Sequence, residues 1–213
     1  MSEYIILDEI SKSYGKFQVL KDVSATLEQG HIHGVIGRNG SGKTQLFKVI
    51  AGYVQPDHGT AAIGGKIVGR DISHPESMGL MIESPGFLPE YTGLFNLQLL
   101  AAINTKLGKL ELLQVLRDVG LEEAAMKKAG RYSLGMRQRL GIAQAIMGNP
   151  SLLILDEPFN GLDKTGVLEI RKLLENLCAA GTTILLSSHY AEDIEALCDT
   201  VHEMDAGVIT RIR

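Results

Sequence analysis

The chain has 213 residues, of which 45% are hydrophobic and 22% charged; 21 Lys and Arg stand against 25 Asp and Glu, a formal net charge of −4. That length suits one domain, or one with a small subdomain, able to bury a core without staples. The composition argues against disorder, and the mild acidity against a surface that grips nucleic acid, so no nucleic-acid partner is expected.

The first residues lack a basic segment and a long apolar run, so they do not read as a secretory signal. No stretch of ~18 apolar residues is present that would span a bilayer. Tyr4 to Leu27 alternates polar and apolar residues around a turn at Tyr14-Gly15-Lys16, which predicts two or three strands. His31 to Gly37 reads as a short strand running into glycines. Lys43 to Ala51 has helical spacing, with Gly52 as its cap. Pro56 to Gly59 reads as a turn, Thr60 to Asp71 as a hairpin, and Met78 to Glu83 as a buried strand. A mostly helical middle follows from Leu94 to Lys128, then a helix over Leu134 to Met147. Ser151 to Leu155 predicts a strand, Thr165 to Ala180 a helix closed by Gly181, and Thr182 to Leu186 a β-branched strand. Strands and helices that alternate in this way imply βαβ units and a mostly parallel sheet. The hairpins before them imply an attached antiparallel β subdomain.

Gly is frequent, at 24 residues, while Trp is absent and aromatics reach only 5%. Such a bias points to tight turns or to backbone that approaches a ligand closely. Part of it falls in Gly37-Arg38-Asn39-Gly40-Ser41-Gly42-Lys43-Thr44, a G-x-x-x-x-G-K-[ST] pattern between a strand and a helix. Glycines let successive N–H groups point at one anion, and the helix end adds its dipole. Lys43 would carry charge to the outer phosphates and the Thr44 hydroxyl would be a Mg²⁺ ligand. A second signal is the apolar run Leu152 to Leu155 ending in Asp156-Glu157-Pro158. Asp156 suits Mg²⁺ coordination, and Glu157, one residue on, suits polarising an attacking water. The pair implies hydrolysis rather than nucleotide binding alone. By itself, Asp-Glu-Pro equally well ends a strand and opens a turn.

The order of these motifs, with Arg131 to Leu140, Gly161-Leu162-Asp163 and His189 after a strand, resembles the ATP-binding subunit of an ABC transporter. The likeness covers almost the whole chain. It implies an α/β P-loop NTPase fold: a mostly parallel core sheet flanked by helices, an N-terminal antiparallel β subdomain, and a helical subdomain over roughly 86–148 of a single 1–213 domain. It implies ATP and Mg²⁺ as cofactors and ATP hydrolysis as the reaction. Lys43, Glu157 and His189 take the catalytic places. Gly37, Arg38, Asn39, Gly40, Ser41, Gly42, Lys43, Thr44 and Gln45 match the phosphate loop, and Tyr14 the aromatic that stacks on adenine. Ser133 and Gly135 match the signature that reaches ATP on the opposite subunit. Thr44, Glu83 and Asp156 form the metal set, and Asp163 matches the dimer contact.

Two departures from the family pattern stand out. The signature Leu-Ser-Gly-Gly-Gln becomes Tyr132-Ser133-Leu134-Gly135-Met136, which keeps the hydroxyl and one glycine. Glu83 stands where the family places Gln. Both look like the bacitracin-resistance and lantibiotic-immunity branch. The resemblance implies a head-to-tail dimer of ATPase subunits, a polytopic permease partner, and a cytoplasmic position against the inner face of the membrane. In the family, a groove beyond Glu83 receives the permease, with Phe87, Leu88 and Leu94 as candidates here. An ABC-type ATPase of a non-transport complex, such as iron–sulfur assembly, is the alternative; a non-catalytic regulatory module fits Asp156, Glu157 and His189 poorly.

Other residues read more plainly. Cys178 and Cys198 lack metal spacing and suit thiols. His31 and His33 would share a strand face as a possible metal pair without an evident third ligand. His58, His74 and His202 read as loop or surface residues.

Overall fold

A computed structural model describes residues 2–83, 86–104, 107–189 and 191–213. Ser84 and Pro85, within the turn expected after Glu83, lie outside the described residues. Two long strands, β1 (Glu3–Tyr14) and β2 (Phe17–Glu28), form a hairpin interrupted by register shifts. β3 (Ile32–Ile36) leads to helix α1 (Lys43–Ile50); β4 (His58–Ile63) and β5 (Lys66–Ile67) form the second hairpin. His58 and Gly59 thus begin a strand instead of closing a turn, because Ser11 and Asp8 of β1 pair with His58 and Thr60. β6 (Met78–Met81), α2 (Gly93–Asn104), α3 (Lys109–Asp118) and α4 (Leu134–Ile146) follow. The chain continues through β7 (Leu152–Leu155), α5 (Lys164–Ala179), β8 (Thr183–Ser188) and α6 (Ala191–Leu197) to a final hairpin, β9 (Thr200–Asp205) and β10 (Val208–Arg211).

Two sheets result. One is antiparallel, ordered β2-β1-β4-β5; the other runs β10-β9-β3-β8-β7-β6 and is parallel except for β10 at its edge. Apolar runs such as Leu-Leu-Ile-Leu in β7 suit a parallel strand covered on both faces. The alternation within each strand decides which core a side chain enters. Leu152, Ile154, Leu185 and Val35 pack with α1 and the antiparallel sheet. Leu153, Leu155, Ile184 and Leu186 pack against the helices on the other face. Gly34 gives that face room: a side chain there would run into Ile194 and Cys198 at the end of α6.

Two histidine expectations change. His33 is fully buried, and both ring nitrogens are engaged, with Thr200 Oγ1 at 2.7 Å and the Glu28 carbonyl at 2.8 Å. A ring bonded at both ends has no lone pair left for a metal shared with His31. His202 is buried in β9 beside β3, not on the surface, because β10 closes over the strand that carries it. Leu94 also moves: it is 3% exposed and belongs to the helical core instead of a groove.

Burial holds the His33 imidazole below its ordinary value and pushes that of His202 from 6.5 down to about 4. Between those values the unfolded chain binds the proton and the folded chain does not, so stability falls as pH falls through that window. Urea unfolding between pH 6.5 and 5 should show a His202 contribution that steepens toward a limit of about 1.4 kcal/mol per pH unit near pH 5. His202→Gln should remove that part of the slope; an unaltered slope would mean that His202 does not titrate on unfolding.

Candidate nucleotide site

The site lies where β3, β7 and β8 end, outside the carboxyl ends of parallel strands, the usual place for a ligand in an open α/β sheet. A cavity of about 400 Å³ there is lined by Asn39 to Gln45, Asp156, Glu157, Lys48, Glu83, Val19 and Phe17. β3 delivers the chain into the loop and α1 carries it away. At the junction Gly42 has φ +113, and a side chain there would meet the Val19 carbonyl at 2.9 Å. Left-handed backbone together with this close approach requires glycine.

Lys43 is 5% exposed, and its Nζ donates to the carbonyls of Gly37 (2.7 Å) and Arg38 (3.3 Å). The same Nζ lies 3.7 Å from Oε1 of Glu157. A buried ammonium is tolerable only with such partners. Thr44 Oγ1 donates to Asp156 Oδ2 at 2.6 Å. Ser187, at the end of β8, donates its hydroxyl to Asp156 Oδ1 at 2.6 Å and accepts from the Glu157 N–H at 2.9 Å. Glu157 has φ +53, a conformation uncommon for a residue with a side chain. Its Oε2 accepts from the His189 N–H at 3.3 Å and lies 2.8 Å from His189 Nδ1, while Gln138 Nε2 donates to its carbonyl at 2.8 Å. Oε1 of Glu157 is buried without a hydrogen-bond partner. The result is one buried cation beside two carboxylates and a hydroxyl, beneath a loop rich in N–H donors.

Most of the residues expected from the sequence therefore converge. Ser187, Gln138, Lys48 and Phe17 were not anticipated. Gln138 falls within the Arg131–Leu140 stretch, and Ser187 is a polar residue closing an apolar strand, a weak hint. Tyr14 is half exposed at the tip of the β1–β2 hairpin, and its hydroxyl accepts from Gln45 Nε2 at 3.0 Å. The aromatic that lines the cavity is its hairpin partner Phe17. Ser133, Gly135 and Asp163 do not line the cavity. They sit together: Ser133 caps α4 by accepting from the Met136 N–H at 3.2 Å, and Asp163 caps α5 by accepting from the Gly166 N–H at 3.0 Å. A side chain on Gly135 would lie 2.7 Å from the Gly161 carbonyl, so the first turn of α4 packs directly on the turn before Asp163.

A strand–glycine loop–helix unit with a buried lysine, a Thr–Asp pair across to a neighbouring strand and a Glu–His pair beside it defines a P-loop nucleoside triphosphatase. The comparisons carry this further. The ABC transporter family model matches residues 20–160. The ABC transporter ATP-binding protein YybJ of Bacillus subtilis (strain 168) is 41% identical over 198 residues, 93% of this chain and 91% of its own. The bacitracin transport ATP-binding protein BcrA of Enterococcus faecalis is 42% identical over 96% of this chain and 68% of its own length. The lantibiotic transport ATP-binding protein SrtF of Streptococcus pyogenes is 36% identical over 92% and 84%.

Among solved structures, a nucleotide-free ATP-binding cassette from an ABC transporter superposes with a TM-score of 0.87 at 25% identity, covering 100% of this chain and 92% of that one. The dimeric cassette MJ0796, bound to ADP and phosphate, shares the fold with a TM-score of 0.89 at 23% identity, covering 98% and 99%. The chain belongs to the ABC transporter family. It is an ATP-binding, ATP-hydrolysing subunit of that family, in the branch that includes bacitracin and lantibiotic transport proteins, and not an iron–sulfur assembly factor.

The contact between Gly135 and Gly161 sets a test at backbone level. Gly135→Ala should force apart the α4 start and the turn before Asp163, at roughly 1–3 kcal/mol of folding stability in urea melts. A melt equal to the wild type would show that this packing yields freely.

Proposed function

We propose that this chain powers export of, or immunity to, a peptide antibiotic or another hydrophobic compound by coupling ATP hydrolysis to a membrane permease. The Lys43–Glu157–Asp156–Thr44 cluster beneath the phosphate loop, with Lys43 and Asp156 buried, carries the hydrolytic part of this reading. The similarity to BcrA and SrtF supports the substrate class. Among the described residues no helix is long and apolar enough to cross a membrane, and in this reading a polytopic partner supplies the membrane span. The reading gives the subunit a cytoplasmic position against the inner face of the membrane.

Each residue has a task. Asn39 to Thr44 offer N–H donors to the phosphates, with Gly37 and Arg38 shaping the loop and Gln45 adjoining Tyr14. Lys43 exchanges its carbonyl partners for phosphate oxygens, so its charge bears on the group being transferred. Glu157 holds the attacking water, and His189, already on its Oε2, fixes the orientation of that carboxylate and reaches the γ-phosphate. Tyr14, with Phe17 beside it, receives the adenine ring.

The donor set fits Mg²⁺, a hard cation that takes oxygen ligands. The Thr44 hydroxyl and the Asp156 carboxylate, paired 2.6 Å apart, would hold it, with Glu83 as a further oxygen at the rim. When bound, it neutralises phosphate charge. Two copies would pair head to tail, with Ser133 and Gly135 of each completing the other's site and Asp163 at the seam. A groove of about 990 Å³, lined by Phe87, Leu88, Leu99, Leu100 and Ile103 among others, would receive the permease.

Glu157→Gln should lower phosphate release by 10²-fold or more while ATP-dependent dimers accumulate on size-exclusion chromatography. Unchanged turnover would remove Glu157 from its assigned role. Leu99→Glu in the groove should abolish co-purification with a polytopic partner from detergent-solubilised membranes and leave ATP hydrolysis by the isolated subunit intact. Retained co-purification would place the permease elsewhere.

A further inference from the structure

Glu83 brings a negative charge to a cavity whose ligand is a triphosphate. Its carboxylate is not left alone: Oε1 lies 2.5 Å from Nζ of Lys48, in the last turn of α1. Both side chains line the same cavity as Lys43 and Thr44. The Glu83 side chain is 63% exposed and that of Lys48 29%, and a pair so open to water contributes little to folding stability. Its effect is local and electrostatic. Glu83 also has φ +61, which a side chain adopts at some cost, so its direction is fixed by more than backbone preference.

We propose that Lys48 is a positioning residue for nucleotide binding: its ion pair holds Glu83 at the cavity rim and cancels the carboxylate's charge toward the triphosphate. The pair then presents a nearly neutral group there, as an amide side chain would. Without Lys48 the uncompensated carboxylate repels an anion of high charge, a repulsion that water around the 63% exposed side chain screens only in part. This inference rests on the reading of the cavity as the triphosphate site.

The test measures the Kd of a fluorescent ATP analogue, MANT-ATP, for the full chain in EDTA at low salt. Lys48→Met should weaken binding on the order of fivefold, Lys48→Arg should keep it, and 0.5 M salt should shrink the defect. In a Glu83→Gln background, adding Lys48→Met should leave Kd within about twofold of that background, since no charge remains to be cancelled. Thermal melts of all variants should coincide with the wild type. A Lys48→Met defect of equal size in both backgrounds, or no defect at all, would overturn the role of Lys48 and leave the nucleotide site standing. Failure of the wild type itself to bind MANT-ATP would remove the site, and this inference with it.

Discussion

The site depends on a carboxylate held from two sides. Asp156 is 7% exposed, and each of its oxygens takes a hydroxyl proton at 2.6 Å, one from Thr44 and one from Ser187. Hydrogen bonds to an ionised acceptor are short and strong, and a buried carboxylate that lost them would bear its full desolvation cost. These two bonds tie α1, β7 and β8 together at one point. Its own N–H donates to Met81 at 2.7 Å, which adds β6. The start of the helix behind the phosphate loop is thereby registered against the acidic strand end.

Everything nearer the ligand is built outward from that anchor. Because Ser187 is fixed by Asp156, its oxygen can accept the Glu157 N–H, and Glu157 is held in a left-handed conformation that a free chain would leave. Gln138 restrains the Glu157 carbonyl from α4, and His189 holds the carboxylate from the end of β8. Lys43 then closes the arrangement from below. A displacement of α4 or β8 would reach Glu157 through a single hydrogen bond.

Sequence reading recovers most of this because the signals are local. Glycine spacing marks the phosphate loop, and an apolar run ending in two acids marks β7, since both patterns are dictated by backbone geometry within a few residues. What it misses is set by long-range pairing. His202 looks like a surface residue until β10 pairs back across β9 and buries it. Leu94 resembles a groove residue by its place in the chain, yet the packing of α2 against α3 and α4 turns it inward. Phe17 and Tyr14 are equivalent in a turn; only the way the β1–β2 hairpin tip meets α1 decides which ring faces the cavity. Ser187 and Gln138 act on a residue 30 and 19 positions away, separations that no short pattern encodes.

The division between residues that line the cavity and those that do not has its own physical reason. Ser133 and Asp163 are occupied as helix caps, which explains their place in a single copy without a partner. A hydroxyl that accepts one N–H still has its proton to donate, and a capping carboxylate still has a second oxygen to accept with. Capping fixes their rotamers, so in the proposed dimer neither residue loses side-chain freedom when a second copy arrives. Gly135 and Gly161 let the two caps sit in backbone contact, so the surface offered to a partner is one rigid unit. In the proposed dimer, half of each composite site would then be ordered before assembly. The energy of association can go to closing over the triphosphate instead of arranging the groups that meet it.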